Sequence, residues 1–123
     1  MLAGLTGRET DLMDVLWEHG PSTVAEVHAR LGEALAYTTV LSMLRTLEAK
    51  RAVTRTKEGR AHRYAARVPR KLARQRALAA VAAKFFRGST ERLLVHLVEN
   101  ERLNDAQILR LRALLDERQR TRR

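Results

Sequence analysis

The sequence predicts a mainly α-helical fold that carries one small β-hairpin. The first observation is a pair of capping boxes, Thr6-Gly7-Arg8-Glu9 and Thr23-Val24-Ala25-Glu26, in which a Thr three residues before a Glu begins a helix. The second is that apolar residues recur at helical spacing after each box. The third is a β-branched, alternating segment at 53–57 that turns at Glu58-Gly59 and returns over 61–65.

Three helices are predicted before the hairpin. The first ends at Gly20-Pro21 and the second, which is short, ends at Gly32. The third covers residues 36–50 and begins at Ala36, which is a poor N-cap residue. Its buried stripe is predicted to be Val40, Met43, Leu44 and Leu47.

The hairpin, residues 53–65, would be marginally stable alone. We therefore expect it to pack on the helices through Val53 and Tyr64.

Three further helices are predicted in the C-terminal part. The fourth opens at Pro69 and reaches about Phe86, the fifth spans about 90–99, and the sixth begins at Asn104. Short helices with apolar stripes can hardly bury their surface alone, whereas a second copy of the chain would cover it. The organisation predicted is residues 1–67 as one domain and a three-helix dimerisation region over residues 68–123. The predicted dimer interface comprises Leu78, Phe85, Leu93, Leu94, Leu97, Ile108, Leu111 and Leu115.

Composition favours a polyanionic partner. The formal net charge is +10, and an excess of this kind is typical of proteins that bind nucleic acid or an anionic surface. Most of it lies in residues 67–123, and the cationic residues at the start of the fourth helix are expected to lie near a DNA backbone. They are Arg67, Arg70, Lys71, Arg74 and Arg76.

Three helices followed by a hairpin is the order of a winged helix-turn-helix domain. Such a domain places the last helix of the pair in the major groove. Here the outward face of that helix offers hydroxyls and one long guanidinium, which can contact base edges. The predicted DNA-binding residues are Tyr37, Thr38, Thr39, Ser42 and Arg45 on the helix and Arg60, His62 and Arg63 on the wing. A purely structural role remains open for several, because Thr38 or Thr39 would also serve as a helix cap and Arg60 and Arg63 would also protect an edge strand.

The sequence does not predict an enzyme. It has no Gly-rich phosphate loop, nucleophile elbow or paired catalytic carboxylates. It contains no cysteine, the four histidines show no metal-ligand spacing, and His28 is expected to be solvated, so neither a metal nor a cofactor is predicted. No signal peptide and no apolar run long enough for a membrane span is visible, which favours a cytoplasmic, nucleoid-associated protein without membrane insertion.

At these residues the chain resembles the BlaI/MecI/CopY family of penicillinase repressors. The matching residues are Leu5-Thr6 with Glu9, Leu16-Trp17, Tyr37-Thr38-Thr39-Val40 with Leu44, Leu47 and Lys50, and Arg60-Ala61-His62-Arg63-Tyr64. The resemblance covers essentially the whole chain. It implies a transcriptional repressor that binds a palindromic operator in double-stranded DNA as a homodimer.

The resemblance also implies a regulatory partner, either a protease or a membrane sensor. Penicillinase repressors are cleaved between Asn and Phe in the C-terminal domain, and the matching pair in this chain is His96-Leu97. That pair differs in both residue types. Copper-responsive members carry a C-terminal cysteine motif that this chain lacks, which argues against copper sensing.

Two other functions remain open at this stage. One is a non-sequence-specific architectural DNA-binding protein, which the basic C-terminal half would favour. The other is a helical protein-assembly module whose winged helix contacts protein.

Overall fold

The computed structural model describes residues 4–32 and 35–122. It separates into two compact units, Met1–Ala80 and Val81–Arg123. The elements, in chain order, are α1 (Gly7–His19), β1 (Ser22–Thr23), α2 (Val24–Leu31), α3 (Tyr37–Ala49), β2 (Val53–Glu58), β3 (Ala61–Ala66), α4 (Arg70–Phe85), α5 (Thr90–Asn100) and α6 (Asp105–Thr121).

Local capping signals set the helix starts. The side chains of Thr6, Thr23 and Asn104 each accept a hydrogen bond from the backbone amide three residues further on. The side chain of that later residue in turn accepts from the backbone amide of the capping residue. The two capping boxes predicted for α1 and α2 are confirmed, and the predicted start of the sixth helix at Asn104 has a third. The Ser89 side chain caps α5 in a simpler way, by accepting from the Arg92 amide at 3.1 Å.

The sheet has one more strand than the sequence predicts. Its order is β1-β3-β2, and both pairs are antiparallel. The predicted hairpin of β2 and β3 is present, but β1 adds Ser22 opposite Tyr64 and Thr23 opposite Arg63. The two-stranded prediction is therefore incomplete. A two-residue strand that merges directly into α2 has no alternation of its own to reveal it.

The core of the first unit lies between the three N-terminal helices and the sheet. Side chains from all of these elements are almost fully buried, including Leu12, Val27, Leu44, Val53 and Tyr64. The predicted packing of the hairpin through Val53 and Tyr64 is confirmed. Each of these apolar side chains contributes about 1.5–3 kcal/mol by leaving water.

The start of α4 belongs to the first unit. Ala73 is buried in the same core, and the indole Nε1 of Trp17 donates to the carbonyl of Val68 at 2.8 Å. The division between compact units therefore falls within α4, after Ala80, and lies further along the chain than the predicted boundary after Arg67.

The second unit has little buried core. Ala82 is the only apolar residue of this unit that is buried among those described. Long apolar side chains remain exposed along its helices, with Phe85 at 69% and Leu109 at 66% of their full exposure. Within the described residues, no helix is long and apolar enough to cross a membrane.

A nearly buried ion pair ties the start of α1 to the end of α3. Lys50 Nζ lies 2.8 Å from Glu9 Oε1 and 3.2 Å from Oε2, and Nζ also donates to the carbonyl of Gly4. The Glu9 side chain is only 6% exposed. Burial by itself would raise the pKa of Glu9, but hydrogen bonds from Lys50 and the Thr6 amide, with the attraction of the Lys50 charge, hold that pKa below its ordinary value.

Replacing Lys50 with Met should destabilise the first unit by about 1–3 kcal/mol, because the Glu9 carboxylate stays buried without its cation. Urea unfolding measures the loss. The matched control is Lys57→Met, since Lys57 is exposed on the hairpin, and an equal loss in both variants would contradict the prediction.

The same pair predicts a pH dependence. Because the folded pKa of Glu9 is depressed, its contribution to the free energy of unfolding is present above about pH 4.3, the unfolded value, and is lost as pH falls through the lower folded value. Glu9→Gln should remove this acid-dependent part of the curve. The check is the free energy of unfolding measured from pH 7 to pH 3 for both proteins.

Candidate nucleic-acid interface

The rotation of α3 is set by a buried stripe. Val40, Leu44 and Leu47 are completely buried, and Met43 is partly buried against the same core. The opposite face of the helix therefore points outward. It carries Thr38, Ser42 and Arg45, while Tyr37 and Thr39 flank this face at the first turn of the helix. All five residues predicted to contact DNA from this helix are exposed.

This exposed face suits the reading of base edges. Thr and Ser hydroxyls donate or accept, and an Arg guanidinium can form a bidentate contact with guanine. Among the described residues, no hydrogen bond or ion pair engages the Arg45 side chain. The Thr46 hydroxyl donates to the backbone carbonyl of Ser42 at 3.0 Å, and no described residue forms a hydrogen bond with the Ser42 hydroxyl.

The first turn of α3 has no side-chain cap. Ala36 is the N-cap residue and supplies no hydrogen bond from its side chain. The leading amides of the helix thus keep their capacity to donate to an anion.

Contacts from α2 hold the segment that precedes α3. His28 Nε2 lies 2.8 Å from the carbonyl of Leu35, and the His28 ring meets the Tyr37 ring edge-on at 5.9 Å. The prediction that His28 is solvated is wrong. The chain that enters α3 passes over this side of α2, so His28 is half-buried and positions the start of the helix.

The wing is a tight hairpin with a basic tip. Glu58 pairs with Ala61, so that Gly59 and Arg60 form a two-residue loop. Gly59 has a φ of 62°, which glycine adopts at little cost and which the first residue of such a loop requires. Arg60 is exposed at this tip. His62 is half-buried, and its Nδ1 is shielded from solvent without a hydrogen-bond partner in the described structure.

Arg63 is differently placed from Arg60. Its Nε donates to Glu58 Oε2 at 2.7 Å, and its Nη1 donates to Glu26 Oε1 and to the Pro21 carbonyl, both at 3.1 Å. The structure thus brings two carboxylates to a side chain predicted as a DNA contact. Sequence reasoning missed both partners. Glu26 in particular is distant in the chain and has an independent role in a capping box.

The five cations predicted near the start of α4 have different surroundings, and two of them, Lys71 and Arg74, are exposed. Arg70 lies 3.6 Å from both Asp14 and Glu18 and stacks over the Trp17 ring. Arg67 and Arg76 instead line a cavity of about 410 Å³, which Lys50 and Arg51 also line.

That cavity marks the far end of α3. The helix runs 13 residues from Tyr37 to Ala49, so Lys50 lies about 20 Å from its start. Arg67 likewise follows the end of β3 opposite the hairpin tip. These cations are therefore separated from the exposed start of α3.

The pair that matches the family's cleavage position lies inside a helix. His96 and Leu97 are in α5, where the His96 ring meets Phe86 edge-on at 5.5 Å and the His96 carbonyl accepts from Asn100 Nδ2.

No group of three or more His, Cys, Asp or Glu side chains among the described residues is arranged to hold a metal ion.

Comparison with known proteins agrees with this geometry. The chain is 39% identical over 119 residues to the transcriptional regulator BlaI of Mycobacterium tuberculosis, a match that covers 94% of this chain and 86% of that protein. Its fold is similar to a transcriptional regulator from Thermotoga maritima, with a TM-score of 0.55 and 20% identity over 96% of this chain and 76% of the other. A MarR family protein from Bacillus stearothermophilus gives a TM-score of 0.51 and 17% identity, covering 98% and 77% of the two chains.

These structural neighbours confirm the predicted winged-helix fold. The model of the penicillinase repressor family matches residues 5–117. The predicted function as a DNA-binding transcriptional repressor, and not an enzyme, is confirmed by this match and by the BlaI relative. The chain belongs to the penicillinase repressor family.

Proposed function

We propose that this repressor binds a palindromic operator as a homodimer, with α3 in the major groove and the β2–β3 hairpin as the wing. The observation that carries the proposal is the exposed face of α3, because its rotation is fixed by completely buried residues on the other side. In this proposal, base edges are read by Thr38, Ser42 and Arg45, while Tyr37 and Thr39 lie at the uncapped helix start near a phosphate. Such a protein acts in the cytoplasm, on the nucleoid.

The wing contributes backbone or minor-groove contacts in this arrangement. Arg60 is its best-placed cation, since its side chain is exposed at the hairpin tip without an ion pair among the described residues. His62 and Arg63, the other two wing residues predicted from sequence, follow on β3, where Arg63 is held by Glu58 and Glu26. Contacts of this kind fix orientation and register, whereas contacts to base edges determine specificity.

Dimerisation through residues 68–123 is supported by the apolar surface of the helical part. Leu78, Phe85, Leu94, Leu97, Leu111 and Leu115 are all exposed, and Leu93 and Ile108 are half-buried. So many exposed large apolar side chains on successive helices are typical of a surface that a partner covers. A second copy covers it, and a two-fold dimer matches a two-fold operator.

We further propose that a regulatory protease or membrane sensor acts at His96-Leu97. The peptide bond lies within α5, so cleavage requires local opening of that helix. The cleavage rate would then follow the population of the opened form.

Selection of bound duplexes from a random pool tests the function. The proposal predicts a palindromic consensus with half-sites about one or more helical turns apart. Retention of DNA without any consensus would favour the architectural alternative. Failure to retain DNA at about 50 mM salt would favour the protein-assembly alternative.

Arg45→Ala should weaken binding to the selected operator by about 1–3 kcal/mol and relax preference at one base pair. Fluorescence anisotropy on the operator and on single-base variants measures both. Arg8→Ala is the matched control. Arg8 is also exposed, but it lies beside Glu9, which pairs with Lys50 beyond the far end of α3. An equal loss of affinity for random DNA would show that Arg45 does not contact a base edge.

Leu94→Glu should weaken the dimer by about 2 kcal/mol, because it places a charge in the apolar surface of α5. Sedimentation equilibrium gives the dissociation constant, with the exposed Glu91→Gln on the same helix as control. A dimer of unchanged affinity would exclude Leu94 from the interface.

A further inference from the structure

Arg63 occupies the central strand of the sheet, where it is bordered on both sides. In β3 it lies opposite Thr23 of β1 and opposite Thr56 of β2. A side chain at this register position can reach α2 on one side and the tip of the hairpin on the other. The Arg63 guanidinium contacts both.

Three separate segments converge on that guanidinium. Glu58 belongs to the tip of β2, Glu26 to the first turn of α2, and Pro21 to the turn that precedes β1. A fixed planar fork with several N–H donors can hold three acceptors at once, which a Lys ammonium on a flexible stem does less well.

Glu26 joins the wing contact to the start of α2. The same Oε1 that accepts from Arg63 also accepts from the Thr23 amide at 2.9 Å. The backbone bond from Thr23, the Thr23 hydroxyl and the nearby Arg63 charge hold the pKa of Glu26 below its ordinary value, while the bond to Glu58 raises the pKa of Arg63. Both groups therefore stay charged at neutral pH.

Local charge argues against a phosphate at this position. One guanidinium faces two carboxylates, so the cluster of Arg63, Glu26 and Glu58 carries a net charge of −1. An approaching phosphate would meet two like charges and would have to compete for donors already in use. Arg60, three residues away at the tip, forms no ion pair with any described residue.

We propose that Arg63 is a positioning residue that braces the wing against the start of α2 and so aims Arg60 at the DNA, without itself contacting a phosphate. The consequence for DNA rests on the proposed function. The brace itself is a property of the fold and can be tested without DNA.

The decisive variant is Glu26→Gln. Gln preserves the capping box, because its side-chain oxygen still accepts from the Thr23 amide, but it removes the one of the two charge partners of Arg63 that lies on α2. If Arg63 braces the wing, Glu26→Gln weakens operator binding, by up to about fivefold for an exposed pair of this kind. If Arg63 contacts phosphate, the same variant frees a cation, removes an anion and tightens binding.

The salt dependence of binding provides the second readout, measured with the operator obtained from the random pool. Arg60→Ala should lower the slope of log K against log salt by about 0.9, the value for one phosphate contact. Arg63→Ala should weaken binding, but added to Arg60→Ala it should leave the slope of Arg60→Ala unchanged, because Arg63 acts on the salt dependence only through Arg60. Glu26→Gln combined with Arg63→Ala should be no weaker than Arg63→Ala alone. A further fall of about 0.9 when Arg63→Ala is added to Arg60→Ala, or tighter binding by Glu26→Gln, overturns the proposal.

Amide hydrogen exchange separates the brace from the proposed function. Exchange of the β2 and β3 amides should accelerate up to about fivefold in Glu26→Gln and Arg63→Ala and stay unchanged in Arg60→Ala. Because Glu26→Gln retains the cap, it remains informative if Arg63→Ala fails to fold. Unaltered exchange in Glu26→Gln overturns the brace, whereas accelerated exchange in a protein that retains no DNA supports the brace and contradicts only the proposed function.

Discussion

The stripe of Val40, Leu44 and Leu47 is the constraint on which the rest of the molecule depends. These residues recur at spacings of four and three along α3 and are completely buried. Any rotation of the helix would expose them at a cost of about 1.5–3 kcal/mol each. The outward direction of Thr38, Ser42 and Arg45 is thus a consequence of core packing, and the hydroxyl-rich face can vary in chemistry without disturbing the fold.

Local signals made much of this structure predictable. The capping boxes at Thr6, Thr23 and Asn104 lie within four residues and satisfy their own backbone amides, so they act independently of the rest of the chain. The winged-helix order and the face of α3 followed from periodicity. The strand β1 and the covering of His28 did not, because each depends on a segment that is adjacent only after folding.

The basic residues show the same limit within the candidate site. From sequence alone, Arg60, Arg63 and Arg67 are equivalent cations in one basic stretch. Folding gives each a different environment. Arg60 is exposed at the hairpin tip, Arg63 lies between two carboxylates, and Arg67 lines a cavity at the far end of α3. A count of positive charge therefore does not say how much of it is available to an anion, because long-range contacts give each cation its own surroundings.

The uncapped start of α3 has a consequence for the speed of recognition. Helices that begin with a Ser or Asp cap must release that side chain before an external anion can take its place. With Ala36 at this position, a phosphate that reaches the leading amides has no N-cap side chain to displace. The helix start is therefore ready at the moment of encounter, so diffusion and orientation would set the association rate, and discrimination between sequences would appear in the lifetime of the complex.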